Sequence, residues 1–177
     1  MSFKILLVDF DNTLFNTDPC VEQAALELWG QRLTGEQVRK EKRPSKSAIY
    51  SLAYTKYHYL AEPNVDLIEY LKLRIKQGDK VFVLTARHCS VRSYVDFSLL
   101  SHGLIVNGVI CRTDDEMKMK DEEWKAQIIS IFKGDVEVYD DREENLRFFY
   151  ESKLPVKLFL VKNRVITPYL NNSNFTS

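Results

Sequence analysis

Residues 3–17 read FKILLVDFDNTLFNT, an apolar stretch over 3–8 that stops abruptly at Asp9 and Asp11. A short apolar run without alternation offers no polar face to water, so it reads as a strand covered on both sides, as in a parallel sheet. Similar runs recur at 80–84, 105–111, 136–139 and 156–161. Between them the apolar residues fall at helical spacing: Val65, Ile68, Leu71 and Ile75; Val91, Val95 and Leu99; Trp124, Ile128 and Ile131; Leu146 and Phe149. Alternating strands and helices predict an α/β fold, a three-layer Rossmann-like parallel sheet with helices on both faces. Ligands of such folds sit beyond the carboxyl ends of the strands.

One segment interrupts this rhythm. Residues 15–61 separate the first strand from the next strand-helix unit, with helical patterns over 21–29 and 47–60, the latter carrying Tyr50, Tyr54 and Tyr57 on one face. The reading is a small helical cap insertion, with 1–14 and 62–177 forming the core domain. The tyrosines are expected to pack rather than to stack on substrate. The basic stretch RKEKRPSK, residues 39–46, is broken by Pro44 and reads as a loop. From Lys162 onward the chain is polar and Asn-rich, and a loosely held tail is expected.

The whole chain has 177 residues with 25 basic and 25 acidic side chains, so global charge names no partner. Length and a 45% hydrophobic content suit one ordinary globular domain with an insertion. Cys20, Cys89 and Cys111 are scattered, without CxxC spacing, so neither a zinc site nor a disulfide is expected and Cys89 is taken as incidental. That usage suits a reducing, cytoplasmic setting, and the apolar run at the start is too short for a signal peptide or a membrane span.

Polar residues gather where the strands end: Asp9 and Asp11, then Thr85, then Asp140 and Asp141. All converge on one sheet edge. Close carboxylate pairs repel by roughly 4 kcal/mol each at an effective dielectric near 20, unless a cation relieves them. Oxygen donors without a His or Cys cluster select magnesium. Asp9 and Asp11 lie two residues apart, on one side of an extended chain, so one carboxylate can attack phosphorus while the other handles the leaving group's proton. Thr85 and a lysine supply hydrogen bonding and positive charge to the phosphoryl group.

With VDFDNTLFNT, VFVLTAR and VEVYDDREEN in this order, the chain resembles the haloacid dehalogenase (HAD) superfamily of phosphatases. The resemblance implies Asp9 as nucleophile, Asp11 as general acid/base, Thr13 in the third position of the first motif and Thr85 in the second. It further implies magnesium held by Asp9, the main-chain carbonyl of Asp11, Asp140 and Asp141. Asn12, at a position where these phosphatases commonly have Gly, is a turn residue that tolerates the conformation. Asn12, Thr13, Ala86 and Arg87 are the expected substrate-binding residues, although Arg87 either binds phosphate or pairs with a carboxylate. The lysine of the third motif is Lys125, in DEEWKAQII, with Lys120 as the alternative.

Locally, residues 111–125 and 136–149 are similar to the polynucleotide 3'-phosphatase and "Swiss Army Knife" RNA-repair branch of that superfamily. This implies a phosphomonoester on a nucleotide or nucleic-acid end as substrate, with a 3'-phosphorylated strand ahead of a mononucleotide. The basic residues Arg39, Lys40, Lys42, Arg43 and Lys46, flanked by tyrosines, are candidates for tracking a phosphate backbone. A 5'(3')-nucleotidase or another small-molecule phosphatase is the alternative. A receiver-like phosphoacceptor or binding domain is a third reading, opposed by the motif order, since a receiver would place its acidic pair after the first strand. No G-x-x-x-x-G-K-S/T stretch provides for a kinase activity.

Overall fold

A computed structural model of the protein describes residues 3–169. In chain order its elements are β1 (Ile5–Val8), β2 (Phe15–Asn16), α1 (Asp18–Trp29), α2 (Gly35–Lys40), α3 (Lys46–Tyr54), β3 (Glu62–Pro63), α4 (Val65–Lys76), β4 (Lys80–His88), α5 (Arg92–Ser101), β5 (Gly108–Arg112), α6 (Asp121–Ile131), β6 (Val136–Asp140), α7 (Glu143–Glu151), β7 (Lys157–Lys162) and β8 (Val165–Pro168). The main sheet runs β5-β4-β1-β6-β7-β8, and every pairing is parallel except β7 with β8. The fold is an α/β Rossmann-like one with helices on both faces, as the alternation of patterns predicts.

Period-two side-chain direction sorts β1 between the two faces. Leu6 and Val8 pack with Leu67, Ile68 and Leu71 of α4 and with Val95 and Leu99 of α5. Leu7 points the other way, into a cluster with Trp124 and Ile129 of α6 and Leu146 and Phe149 of α7. Leu6, Leu7 and Val8 are all fully buried, and each such side chain contributes about 1.5–3 kcal/mol. This is why β1 shows no alternation: both of its faces are interior.

Between β1 and α4 the chain forms a two-stranded antiparallel ribbon in which Phe15 faces Pro63 and Asn16 faces Glu62. A third apolar cluster, drawn wholly from residues 20–61, includes Val21 and Ala25 of α1, Val38 of α2, and Ile49 and Ala53 of α3. Pro19 opens α1 and Gly30 ends it at φ 71°, while Thr34 and Gln37 cap α2 reciprocally.

Several expectations need correction. Arg39 and Lys40 belong to the last turn of α2, because the Thr34 cap nucleates a helix where basic composition suggested a loop. The helix carrying the tyrosines stops at Tyr54, leaving Tyr57 just before a 3-10 turn at His58–Leu60. The tail is not loose at its start. Val165–Pro168 pairs antiparallel with β7, joined by a two-residue turn in which Asn163 and Arg164 both take left-handed φ, 50° and 66°. The remainder of the expected tail, 170–177, lies outside the described residues. Finally, Cys89 and Cys111 form a disulfide between the end of β4 and β5, leaving Cys20 free and buried. Parallel pairing of β4 with β5 brings together two cysteines that sequence spacing keeps apart. With two of the three cysteines bridged, cysteine usage no longer points to a reducing compartment. Among the described residues, no helix is long and apolar enough to cross a membrane.

Candidate active site

Register assembles the site. Val8 of β1 lies opposite Val83 of β4 and Tyr139 of β6, so Asp9 continues one step past the sheet edge beside Asp140, with Thr85 close by on β4. Beyond Asp9 the chain folds into a tight loop. Leu14 and Phe15 donate amides to the Phe10 carbonyl, and Asn12 sits at φ 60° with its amide on the Phe15 carbonyl. The Asn12 side chain accepts the Thr17 amide at 3.0 Å, a local bond that helps asparagine hold a left-handed turn. Asn64 clamps the same loop from outside, with its side chain on the Thr13 carbonyl at 3.1 Å and its amide on the Leu14 carbonyl.

Lys125 is the hub. Reaching in from α6 and 2% exposed, its Nζ lies 2.8 Å from Asp9 Oδ1 and 2.8 Å from Asp140 Oδ2, with Asp121 at 3.5 Å. Lys120, the sequence alternative, flanks the helix start, and among the described residues its ammonium pairs with Glu123 alone, at 4.0 Å on the surface. Thr13 Oγ1 donates to Asp9 Oδ2 at 3.0 Å and touches Asp141 at 3.4 Å. Asn145 and the Arg142 amide both donate to Asp140, and Asn145 also reaches Asp121.

Charge is not balanced there. One oxygen from each of Asp9, Asp140 and Asp141 can be chosen so that all three lie within 4.8 Å of one another, against the single ammonium of Lys125. Burial pushes the Asp9 carboxyl well up from its ordinary value, against the pull of Lys125. Burial, then the charge of Asp140, raises Asp141 to about 7. Lys125 is held above its usual range despite burial, because Asp121, Asp140 and Asp9 surround it. Asp121 ends up lowered, since Lys125, Asn145 and Arg142 together outweigh its burial. Three hard oxygen donors with uncompensated charge and no sulfur or imidazole among them fit a magnesium-like divalent ion.

The Asp11 side chain stands apart from that group. The Arg87 guanidinium grips it in a fork, NH2 at 2.7 Å from Oδ1 and Nε at 3.0 Å from Oδ2. Arg87 is itself sandwiched, 3.7 Å from the ring centroid of Tyr54 on α3 and 4.7 Å from that of Phe10. Of the two readings of Arg87, the structure displays the carboxylate pair. Thr85 is fully buried, and its Oγ1 accepts the Arg87 amide at 3.3 Å, leaving its hydroxyl proton for another acceptor. Ala86 lies between them on β4, half-buried.

A cleft of about 810 Å³ opens beside this centre, lined by Asn12, Thr13 and Asp141 on the site side. Its far wall mixes charges, but nearly all its acids are already engaged. Asp18 accepts the Gly35 amide, Glu36 pairs with Lys40, Glu62 takes Asn16, Glu143 pairs with Lys162, and Glu144 with Arg142. Three arginines in the same wall, Arg39, Arg147 and Arg164, make no ion pair among the described residues. Of the basic stretch, Lys40 is tied to Glu36, Arg43 to Glu41 and Trp29, and Lys46 to the Arg39 carbonyl. The tyrosines pack as expected: Tyr50 bonds the Gly35 carbonyl and Tyr57 bonds Glu27.

Sequence reading anticipated Asp9, Thr13, Lys125, Asp140 and Asp141, which the fold brings together. It missed Asp121 and Asn145, which hold Lys125 and Asp140. Asp121 was findable, since it lies one helical turn before Lys125. Arg147 and Arg164 carried no motif, and only the fold brings them to the cleft.

No protein-family model matches the chain, and no curated protein does. Solved structures do match. A HAD-superfamily hydrolase from Geobacter sulfurreducens aligns at TM-score 0.60 and 18% identity over 89% of this chain and 88% of that one. A haloacid dehalogenase-like hydrolase from Streptococcus pneumoniae aligns at TM-score 0.65 and 12% identity, covering 87% of this chain and 83% of that one. A chain of the Pnkp1/Rnl/Hen1 RNA repair complex aligns at TM-score 0.60 and 20% identity over 89% of this chain and 42% of that one. The fold is therefore that of the HAD-superfamily hydrolases.

Proposed function

We propose that this chain is a magnesium-dependent phosphomonoesterase acting through an aspartyl-phosphate, with a nucleotide or nucleic-acid 3'-phosphate as substrate. The observation that carries the reading is the contact of Asp9 with Lys125, and of Lys125 with Asp140, at 2.8 Å each, beside Asp141 and at the sheet edge where Asp11 follows. An Asp9 carboxylate oxygen attacks phosphorus, and the bond to the ester oxygen breaks as that oxygen takes a proton from Asp11. Water then attacks the phosphorus of the acyl phosphate, giving its proton to Asp11, and the bond to Asp9 breaks to release inorganic phosphate. Lys125 and the Thr85 hydroxyl meet charge on the phosphoryl oxygens.

Asp9, Asp140, Asp141 and the main-chain carbonyl of Asp11 would hold magnesium, which supplies charge neutralisation to the phosphoryl group. The Arg87 fork occupies both carboxylate oxygens of Asp11, whereas proton transfer to the leaving oxygen needs one of them free. A phosphate offers the guanidinium the same two-oxygen geometry as a carboxylate, so substrate competes for Arg87 and thereby releases Asp11. Asn12, Thr13 and Ala86 border the phosphate position. Residues 15–61 serve as the cap, and 1–14 with 62–177 as the core.

Phosphate release from 3'-phosphorylated oligonucleotides, mononucleotides and sugar phosphates, in magnesium and in chelator, tests this. Turnover should require the metal and should vanish in a folded Asp9→Asn variant, because an amide is a poor nucleophile. Activity in excess chelator, or in that variant, overturns the mechanism.

A further inference from the structure

The cleft described above holds three guanidiniums that make no ion pair among the described residues, although the charge of Arg39 reaches Glu36 and Glu144. Arg39 comes from α2, Arg147 from α7 and Arg164 from the β7–β8 turn, so no single helical stripe explains their meeting. Of the lining acids, Glu36, Glu143 and Glu144 are paired with cations, while Asp18, Glu62 and Asp141 are held by neutral donors. Thr13 and Asp141 line the same cleft, which therefore begins at the proposed phosphoryl site.

We propose that Arg39, Arg147 and Arg164 form a second anion subsite, spanning insertion and core, for the internucleotide phosphates of a strand whose terminal 3'-phosphate lies at Asp9. This deepens the phosphomonoesterase reading and rests on it. The planar fork of an arginine with no carboxylate in it suits phosphate oxygens held in pairs. At about 810 Å³ the cleft exceeds what a sugar monophosphate fills and lies in the range of sites that enclose larger ligands. A ligand with one phosphate, already engaged at Asp9, leaves all three arginines unanswered. Successive phosphodiesters answer them. The basic stretch contributes through Arg39, since Lys40, Arg43 and Lys46 are engaged elsewhere.

The test compares wild type with a combined Arg39→Gln, Arg147→Gln and Arg164→Gln variant on a 3'-phosphorylated trinucleotide, a nucleoside 3',5'-bisphosphate and p-nitrophenyl phosphate. Binding of a dye-labelled 3'-phosphorylated trinucleotide to both proteins is measured across salt concentrations. In the variant, the kcat/KM for the trinucleotide relative to that for p-nitrophenyl phosphate should fall at least tenfold. The slope of log affinity against log salt should also flatten, by roughly 0.7 for each strand phosphate released. An unchanged ratio with an unchanged slope overturns the subsite. If the bisphosphate loses as much as the trinucleotide, one extra phosphate fills the cleft and the strand reading is wrong. Should wild type hydrolyse none of the three, the phosphatase reading fails by itself. Binding then decides the subsite: weaker and less salt-dependent binding by the variant upholds it, and equal binding removes it.

Discussion

Replacing Lys125 by methionine keeps most of the aliphatic bulk, so the change removes charge without opening a large cavity. What remains are Asp9, 7% exposed, and Asp140, 1% exposed, each having lost a cation at 2.8 Å. At an effective dielectric near 20 each contact is worth about 6 kcal/mol before desolvation is counted. Desolvation of the ammonium cancels much of this, and breaking a buried pair from one side costs about 3–5 kcal/mol net. That is a large share of the roughly 5–15 kcal/mol that holds a domain folded. With a urea dependence of about 2 kcal/mol per molar, the midpoint should fall by about 1.5–2.5 M in chelator, read by tryptophan fluorescence. Magnesium should recover part of the loss, because an ion that binds only the folded carboxylates stabilises by mass action. Lys120→Met, on the surface, should change stability by no more than about 0.5 kcal/mol. If Lys125→Met lies within about 1 kcal/mol of wild type, or Lys120→Met costs as much, the assignment of Lys125 as the buried counter-charge is refuted.

Two further outcomes are expected. Glu137 is buried, which by itself would raise its pKa, but hydrogen bonds from Lys4, Tyr139 and Arg74 hold it lowered, and Asp79 is lowered likewise by the Lys4 amide and Arg74 despite its desolvation. Since the folded values lie below the unfolded ones, this stabilisation is complete above about pH 5 and disappears as pH falls through the folded values, so Glu137→Gln should flatten the acid limb of a stability-pH curve. The Cys89–Cys111 bridge closes a 22-residue separation, for which chain entropy gives about 3 kcal/mol; reductant should lower the stability of wild type by that order and leave Cys89→Ser unmoved. Equal unfolding curves with and without reductant would show the thiols unpaired.

Much of the fold was legible because parallel strands buried on both faces leave uninterrupted apolar runs, as at Ile5–Val8 and Val136–Asp140. The acidic centre was legible because its residues stand at strand ends, in an order that resembles known motifs. What escaped was set by tertiary proximity. The Cys89–Cys111 pair depends on β4 lying beside β5, and which of its two readings Arg87 takes, and that Asp11 is the carboxylate, depends on β4 lying beside β1. β8 was unreadable for a different reason: at four residues, on an edge and mostly exposed, Val165–Pro168 buries too little to imprint a pattern. Its turn was equally obscure, since Asn-Arg is not the Asn-Gly that hairpins of this length favour.

That same turn sets folding against recognition at one residue. A two-residue hairpin asks for left-handed backbone at both positions, and Arg164 adopts it at φ 66°, where a side chain other than glycine costs roughly 1–2 kcal/mol. Glycine at 164 would relax the backbone and tighten the sheet edge while taking a guanidinium out of the cleft. A thermostability screen would therefore favour the very change that strips the cleft, whereas selection on ligand would keep the strained arginine. Residue 164 is thus a place where a more stable protein and a better binder are different sequences, so a gain in melting temperature there, joined to a loss of strand affinity, separates a recognition role from a merely structural one.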